Sequence, residues 1–483
     1  MSTRRSLLFS FLDRYASLVV TIVSSMAIAR LLTPAEIGVF SVTVVLLSFV
    51  HTVRDMGAGQ YLVQEKELTT ERIRAVWAVQ LGLGLVLASL VLLASYPVAL
   101  FYDEPRMRNV MLVVALTYAI NPFGSLTYAW LTREMRFDSI SLMRFLSVLS
   151  GSLVSTWLAW QNLGPISLAW GALTTTVVNA LVAVYFRPKF FPWLPGLSEI
   201  KRVFSFGSKV TAGMLVSDMA NSAPELFLGK LQSLTAAGLY SRAFGLVMMF
   251  YRLFVDAVAV VCMPWFASQS RAQGDFVKPF LKATAYVTVL GWSFCIAVVC
   301  LAQPIVRLLY GSQWDQSVDL ARLLALAIAM NVPTALCGTA LMAAGAASTI
   351  ARVTVIASLQ AIVFAAVGAS QGLLGLGVAM IFSTAVSSAV WLRATAGQIG
   401  LPLLGMLSIM LQSGLVALMA GLGPAMALWL YGPYPEAIMA PLVVGGVGAI
   451  FGFVSGVKVF NHPLAAEFEP LLSVFKRFFS SIK

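Results

Sequence analysis

Acidic and basic residues occur together within two neighbouring apolar stretches of this sequence, residues 206–230 and 236–262. A carboxylate can hold a proton or a cation, and a guanidinium can bind a phosphate through two parallel hydrogen bonds. Because charged groups are costly in apolar surroundings, they usually face a cavity or a partner of opposite charge. The residues concerned are Lys209, Asp218 and Glu225 in the first stretch, and Arg242, Arg252 and Asp256 in the second.

These residues form three acid–base pairs if the two stretches are antiparallel helices. At about 1.5 Å of rise per residue, one pair lies near the middle of the helices and the other two lie towards opposite ends. The spacing therefore predicts a polar ladder, which either holds the two helices together or contacts a substrate or a coupling ion. The predicted pairs are Asp218 with Arg252, Glu225 with Arg242, and Lys209 with Asp256.

The other reactive side chains form no recognisable catalytic or metal-binding pattern. The chain has 2 histidines and 4 cysteines, and no cysteine stands in metal-ligand spacing with a histidine. No phosphate-binding loop of the Walker type occurs, so we expect no ATP hydrolysis by this chain. We accordingly predict no enzyme activity, no metal site and no bound cofactor.

The composition indicates an integral membrane protein. Of the 483 residues, 59% are hydrophobic and only 11% are charged, whereas a soluble domain has about 25% charged residues. The mean hydropathy is +0.88. The net charge of +12 could suggest nucleic-acid binding, but the basic residues lie in short connections between apolar stretches. Membrane topology explains this distribution better, so nucleic acid is not expected as a partner.

The apolar stretches predict about fourteen transmembrane helices. Most of the 32 Lys and Arg residues fall on one side if the N-terminus is placed in the cytoplasm. This asymmetry follows the positive-inside rule and predicts that both termini are cytoplasmic. Asp13 and Arg14 interrupt the first apolar stretch, which we interpret as an uncleaved first helix.

A short segment is repeated about halfway along the chain. RLLTPAEIGVFS, residues 30–41, returns as KLQSLTAAGLYS, residues 230–241. In the first copy, Thr33 and Glu36 have the spacing of a capping box, but in the second copy an alanine replaces the glutamate. Asn121-Pro122 and the segment from Asn331 to Pro333 form a further matching pair, within the fourth and tenth apolar stretches.

This repeat predicts an all-α membrane protein made of two pseudo-twofold-related six-helix bundles and two C-terminal helices. Six is an even number, so the two bundles have the same orientation and their axis lies along the membrane normal. The predicted domains are residues 1–200 and 201–398 for the bundles, 399–457 for the last two helices, and 458–483 for a cytoplasmic amphipathic tail.

The pattern resembles a known family. The segment ARLLTPAEIGVFS after the first helix, and YSRAFGLVMMFYRLF followed by Met263-Pro264, are similar to the Wzx-type polysaccharide flippases, in particular the colanic-acid-exporter kind. These proteins belong to the multidrug/oligosaccharidyl-lipid/polysaccharide exporter superfamily. The resemblance covers residues 1–400 well and the last two apolar stretches loosely.

The resemblance implies that the chain moves undecaprenyl-pyrophosphate-linked oligosaccharides across the bacterial inner membrane by alternating access, for exopolysaccharide or lipopolysaccharide synthesis. Its partners would be the lipid-linked oligosaccharide, membrane lipids and a polysaccharide polymerase. Arginine suits a phosphate because its planar fork donates two hydrogen bonds. The candidate phosphate contacts are Arg14, Arg242 and Arg252, with Lys209 as a point charge. The candidates for coupling to H⁺ or Na⁺ are Asp13, Asp218, Glu225 and Asp256.

Two other functions remain open at this stage. A cation-coupled multidrug exporter of the same fold would favour a cavity rich in aromatic and acidic residues, whereas acids and bases are balanced here. A membrane polysaccharide polymerase usually needs a long outer loop with catalytic polar residues. The longest predicted outer connection, residues 302–318, is short for that purpose.

Overall fold

The helices of this protein follow one another with few long connections. A computed structural model describes residues 3–55, 58–65, 67–251, 255–271 and 276–467. Within these ranges every regular element is helical and no β-strand occurs, which confirms the predicted all-α class. The first eight helices are α1 (Thr3–Leu31), α2 (Pro34–Asp55), α3 (Ala58–Gln64), α4 (Thr70–Tyr102), α5 (Pro105–Ile120), α6 (Pro122–Arg133), α7 (Phe137–Trp160) and α8 (Ile166–Phe186).

The same order of long and short helices then recurs. Helices α3 and α11 are the short segments after α2 and α10, and α5–α6 and α13–α14 are the broken pairs. The order of the helices is therefore similar in the two halves of the chain. The arrangement of these helices as two pseudo-twofold-related six-helix bundles remains a prediction. The remaining helices are α9 (Ile200–Leu231), α10 (Leu234–Phe250), α11 (Asp256–Arg271), α12 (Val277–Leu309), α13 (Val318–Asn331), α14 (Cys337–Ala343), α15 (Ala347–Ser370), α16 (Gly372–Ile399), α17 (Leu403–Tyr431) and α18 (Met439–Val459).

The predicted capping box forms at the turn between α1 and α2. The backbone N–H of Thr33 donates to Glu36 Oε2 (2.8 Å), and the backbone N–H of Glu36 donates to Thr33 Oγ1 (3.3 Å). The Thr33 hydroxyl also donates to the same carboxylate oxygen (2.9 Å). Pro34 occupies the first helical position, where no N–H is needed. These bonds satisfy N–H groups that a helix start leaves without partners.

The second copy of the turn reaches the same result without a glutamate. Ser233 Oγ accepts the N–H of Ala236 (3.1 Å), as the spacing predicts. The N–H of Ser233, which a glutamate would otherwise accept, donates to the carbonyl of Leu228 at the end of α9 (3.0 Å). The missing carboxylate therefore leaves no unsatisfied donor at this position.

Both matching Asn and Pro segments break a helix. Helices α5 and α6 meet at Asn121 with a bend of 48°. Pro122 follows the break and has no N–H to continue the hydrogen-bond ladder. In the second half, α13 ends at Asn331 and a short 3-10 turn, Val332–Thr334, leads towards α14. The same proline chemistry therefore produces the same interruption twice.

The chain divides into two compact units, Met1–Gly238 and Leu239–Lys483. In the first unit, α9 packs against α2, α3 and α4. In the second unit, α12 packs against α13, α17 and α18. The predicted domain limits at residues 200, 398 and 457 remain a prediction.

Several helices are long enough to cross a membrane. Ten helical segments of the described residues have the required length and apolar composition, if Ser312–Ala343, the run that contains α13 and α14, is counted as one segment. The bent pair α5–α6 would make eleven. The apolar parts of α1 and α10, Ala16–Leu31 and Leu234–Met249, are shorter. The protein is therefore a multi-pass membrane protein, and the number of fourteen spans remains a prediction.

The hairpin of α17 and α18 is attached to its unit at both ends. At the turn between the two helices, Tyr434 Oη donates to both oxygens of Asp319 (2.9 Å each). Arg322 donates to Asp319 (2.8 Å) and to the carbonyl of Pro433 (3.0 Å). Asp319 and Arg322 belong to α13, so this turn is held against α13.

The chain after α18 is held against α12 and α17. Leu464 N–H donates to Nδ1 of His462 (3.2 Å), so the neutral ring carries its proton on Nε2, which lies 3.1 Å from Ser413 Oγ. Glu467 pairs with Lys282 (3.2 Å) and accepts from Tyr286 Oη (3.0 Å). Residues 468–483, which include most of the predicted amphipathic tail, lie outside the described residues.

Candidate ion and substrate site

Asp218 lies in a polar seam between α2 and α9. The hydroxyl of Thr52 donates to Asp218 Oδ2, and Ser48 Oγ and Ser222 Oγ lie 3.2 Å apart. On each helix the two residues are four positions apart, so they share one face. The order of the contacts, 48 with 222 and 52 with 218, shows that the two helices are antiparallel. The seam offers one carboxylate and three hydroxyl groups as oxygen ligands.

Next to this seam, α2 carries further polar side chains that contact α5. The rings of His51 and Tyr118 lie 4.9 Å apart, and the Arg54 guanidinium lies 5.9 Å from the Tyr118 ring centre. Tyr118 is fully buried and donates from Oη to the carbonyl of Leu47 (3.2 Å). It stands one turn before the break at Asn121, so the polar face of α2 lies beside the bent helix pair.

Arg242 lies between aromatic rings in the second unit. Its guanidinium is 5.7 Å from the ring centres of both Tyr310 and Trp314. Both rings are almost completely buried. Such an arrangement attracts a cation through the ring faces and restricts its orientation. Arg242 is itself half-buried, and its charge is therefore presented from a defined position on α10.

The structure places the remaining predicted site residues only in part. Glu225 is buried on α9, in the first unit, whereas Arg242 belongs to the second. Arg252 lies outside the described residues. The side chains of the other four candidates also lie outside the described part of the structure, although their helices are described. These are Asp13 and Arg14 on α1, Lys209 on α9, and Asp256 at the start of α11.

The three hydroxyl groups of the seam are not among the site residues predicted from the sequence. Ser48, Thr52 and Ser222 carry no charge, and serine and threonine are common in membrane helices, where they usually bond to their own backbone. The available signal was the spacing of four between Ser48 and Thr52 on α2, matched by Asp218 and Ser222 on α9. Nothing in a single sequence indicates that these two faces meet.

A comparison with protein families supplies the wider context. Residues 27–319 match the family described as polysaccharide biosynthesis protein. This match covers more than half of the chain, including the α2–α9 seam and Arg242. The chain belongs to this family. The resemblance to polysaccharide flippases noted in the sequence is thereby confirmed at the level of the family.

Two proteins similar to this chain carry names that refer to polysaccharide biosynthesis. The succinoglycan biosynthesis transport protein ExoT of Rhizobium meliloti is 24% identical over 336 residues, 68% of this chain and 67% of that protein. The lipopolysaccharide biosynthesis protein WzxC of Escherichia coli is 22% identical over 312 residues, 63% of this chain and 62% of that protein. Similarity to both covers about two thirds of the length.

Solved structures show which fold this family member has. The lipid II flippase MurJ, in an inward closed conformation, matches 96% of this chain and 100% of that chain with a TM-score of 0.77 at 14% identity. An inward-facing multidrug resistance transporter of the MATE family matches 80% of this chain and 94% of that chain, with a TM-score of 0.66 at 13% identity. This chain thus shares its fold with both of these structures.

Proposed function

We propose that this protein translocates undecaprenyl-pyrophosphate-linked oligosaccharide repeat units from the inner to the outer leaflet of the bacterial inner membrane. The observation that carries this proposal is that a chain of the polysaccharide biosynthesis family has the fold of a lipid II flippase over 96% of its length. The related structure is that of a lipid II flippase, and we extend this activity here to another lipid-linked sugar. The sugar head cannot cross hydrocarbon unaided, so polar side chains must replace its water.

The proposed substrate contacts are arginines. A pyrophosphate is anionic, and an arginine guanidinium stays charged and donates two parallel hydrogen bonds to it. Arg242 is the candidate with a described setting, because Tyr310 and Trp314 flank its guanidinium. Arg14, Arg252 and Lys209 remain proposals from the sequence.

The proposed coupling site is the seam at Asp218. The transport of an anionic headgroup needs an energy source, and this chain has no Walker-type loop. A carboxylate can bind H⁺ or Na⁺, and the neighbouring hydroxyls add oxygen atoms that suit a hard cation. Asp13, Glu225 and Asp256 remain further candidates. In proteoliposomes with an imposed gradient, Asp218→Asn should abolish the dependence of transport on one of the two ions.

The proposed topology places both termini in the cytoplasm, with a polysaccharide polymerase as a partner that receives the translocated unit. The excess of basic residues on one side of the predicted helices supports this orientation. At the C-terminus, a fused reporter that works only in the cytoplasm should be active, and one that works only in the periplasm should be inactive. A periplasmic signal would contradict the topology without affecting the assignment of the substrate.

The experiment that tests the function is analysis of lipid-linked glycans in a strain lacking this protein. Undecaprenyl-linked repeat units should accumulate, polymer should disappear, and the unsubstituted gene should restore it. The accumulated units should be accessible only from the cytoplasmic leaflet. Normal polymer yield without accumulation would contradict the proposal.

A cation-coupled multidrug exporter is the second candidate, because a MATE transporter shares the fold with a TM-score of 0.66. The same deletion strain separates the two functions. An exporter of drugs would leave the polymer unchanged and would increase the accumulation of cationic dyes such as ethidium. We expect dye accumulation to be unaffected.

A further inference from the structure

The connection between α8 and α9, residues 187–199, is tethered to α4 in a defined conformation. The indole Nε1 of Trp77 donates to the carbonyl of Trp193 (2.9 Å), and Gly196 N–H donates to the carbonyl of Arg74 (3.1 Å). Gly196 approaches α4 so closely that an added Cβ would lie 2.8 Å from the Cβ of Arg74. We call this segment the linker platform.

One side of the linker platform is buried in the first unit. Phe191 is 3% exposed and belongs to an apolar cluster that includes Trp77, Leu126 and Val203. Arg187 donates to the carbonyl of Pro192 (2.7 Å), and its guanidinium stacks 3.9 Å from the ring centre of Trp193. These contacts fix the direction of the other side of the segment.

The other side of the linker platform is apolar and exposed. Trp193 is 57% exposed, Leu194 is 72% exposed and Leu197 is 78% exposed. The segment directly follows α8, a helix with the length and composition of a membrane span. We therefore expect the segment to begin near the edge of the hydrocarbon. Tryptophan is enriched at this depth because one part of its ring is apolar and the other can remain in contact with water.

Basic side chains surround this apolar surface. Arg74, Lys189 and Lys201 are exposed, and Arg202 is exposed as well while it pairs with Glu65 (3.2 Å). Within the linker platform Glu199 is the acidic residue, and it is half-buried. An apolar surface with a basic border is the pattern of segments that lie in the membrane interface and attract anionic lipids.

We propose that the linker platform inserts Trp193, Leu194 and Leu197 into the lipid interface and binds anionic phospholipid headgroups through Arg74, Lys189 and Lys201. A bilayer is the occupant that these observations favour, because both ends of the segment continue into helices of a membrane protein and the charge complements anionic lipid. The tethers to α4 keep the surface ordered before it binds, which lowers the entropic cost of binding. This interaction is separate from transport of a substrate.

Depth is tested with an environment-sensitive label on the full-length protein. Leu194→Cys is labelled with NBD and reconstituted into vesicles of phosphatidylcholine with or without phosphatidylglycerol. The emission should shift to the blue, and lipids brominated near the headgroup should quench it. Glu67→Cys, at an exposed position in a polar turn, is the matched control. The label at this position should keep the emission that it has in water. The four native cysteines are buried or half-buried, and labelling of the unsubstituted protein gives the background. A water-like emission at position 194 overturns the proposal.

Charge recognition is tested with the double variant Lys189→Glu and Lys201→Glu. In mixed vesicles, phosphatidylglycerol should co-purify several-fold more with the unsubstituted protein than with the variant, and this difference should shrink at high salt. Free inorganic phosphate should not displace the lipid. Equal lipid retention by both proteins, or protection of the label by a soluble protein and not by lipid, contradicts recognition of anionic lipid. Monodisperse gel filtration verifies that the variant is folded, and neither assay depends on transport.

Discussion

The carboxylate of Asp218 receives its hydrogen bond from Thr52, a neutral residue on α2. The sequence predicted a charged partner for Asp218, namely Arg252, because charged residues are rare in an apolar chain and therefore conspicuous. Hydroxyl groups are common, and only contact in space distinguishes this threonine from the others. The proposed role of the seam is therefore best tested at Thr52.

Thr52→Val removes the hydrogen-bond donor and keeps the shape of the side chain. We expect the free energy of unfolding to fall by about 1–3 kcal/mol, because the half-buried carboxylate of Asp218 then lacks its hydrogen-bond donor. The melting temperature of the purified protein and polymer export in a deletion strain should both fall. Thr52→Ser keeps the hydroxyl and should behave like the unsubstituted protein. Identical behaviour of the valine and serine variants would show that the bond contributes nothing.

The variant Arg242→Lys tests whether the planar shape of the guanidinium is needed in addition to its charge. Arg242→Lys keeps the charge but lacks the plane that faces Tyr310 and Trp314. We expect export to fall to nearly the level of Arg242→Ala, because lysine cannot donate in the bidentate geometry that a phosphate accepts. The measurement is polymer yield at equal protein level in the membrane. Full activity of the lysine variant would mean that charge alone suffices.

At the scale of helices, residues 230–238, the part of the second hinge copy that belongs to the first unit, pack directly against the first copy. A Cβ on Gly38 would overlap with the carbonyl oxygen of Leu234, and a Cβ on Gly238 would overlap with that of Pro34. The absence of side chains therefore permits the close approach of α2 to the start of α10. The sequence repeats these glycines, but their contact follows only from the tertiary structure.

Gly38→Ala and Gly238→Ala should each destabilise the protein by about 1–3 kcal/mol, because overpacking forces the helices apart. Gly245→Ala is the matched control on α10, where an added Cβ meets nothing within 4 Å. That change should stabilise the helix by up to about 1 kcal/mol. Thermal unfolding of the purified variants measures all three effects. Equal melting temperatures for Gly38→Ala and Gly245→Ala would refute the close contact as a constraint.

At the scale of the whole molecule, the hairpin of α17 and α18 is attached to the second compact unit by polar contacts. The sequence of the first of these two helices contains a glycine-rich segment with Pro424, a combination that can end or kink a helix. In the structure α17 continues through Pro424, and polar contacts hold the hairpin at both ends. His462 follows α18 and contacts Ser413 on α17. We expect this contact to make the stability of the protein depend on pH.

Burial lowers the pKa of His462 from 6.5 to about 4. The unfolded chain therefore takes up a proton between pH 6.5 and 4 while the folded protein does not, so stability is lost as the pH falls through this window. Between pH 7.5 and pH 5 we expect the contribution of this residue to lower the free energy of unfolding by about 2 kcal/mol. His462→Gln should show a smaller decrease in melting temperature over the same range. Parallel pH profiles for the two proteins would exclude this contribution.

The sequence by itself determined the helical class, the membrane location, the repeated order of helices and the capping of α2. Each of these follows from local properties: side-chain type, hydropathy over a span, or hydrogen bonds between residues three positions apart. The break at Asn121-Pro122 is local as well, because a proline cannot continue the hydrogen-bond ladder of a helix.

The tertiary structure alone decided which faces of these helices meet. The pairing of Thr52 with Asp218, the contact of Gly38 with the start of α10, and the binding of Trp193 by α4 join residues that are far apart in the chain. Many apolar helix faces are interchangeable in composition, so a single sequence does not select among them. Packing selects them, because close contact requires that small residues and polar partners coincide on both helices.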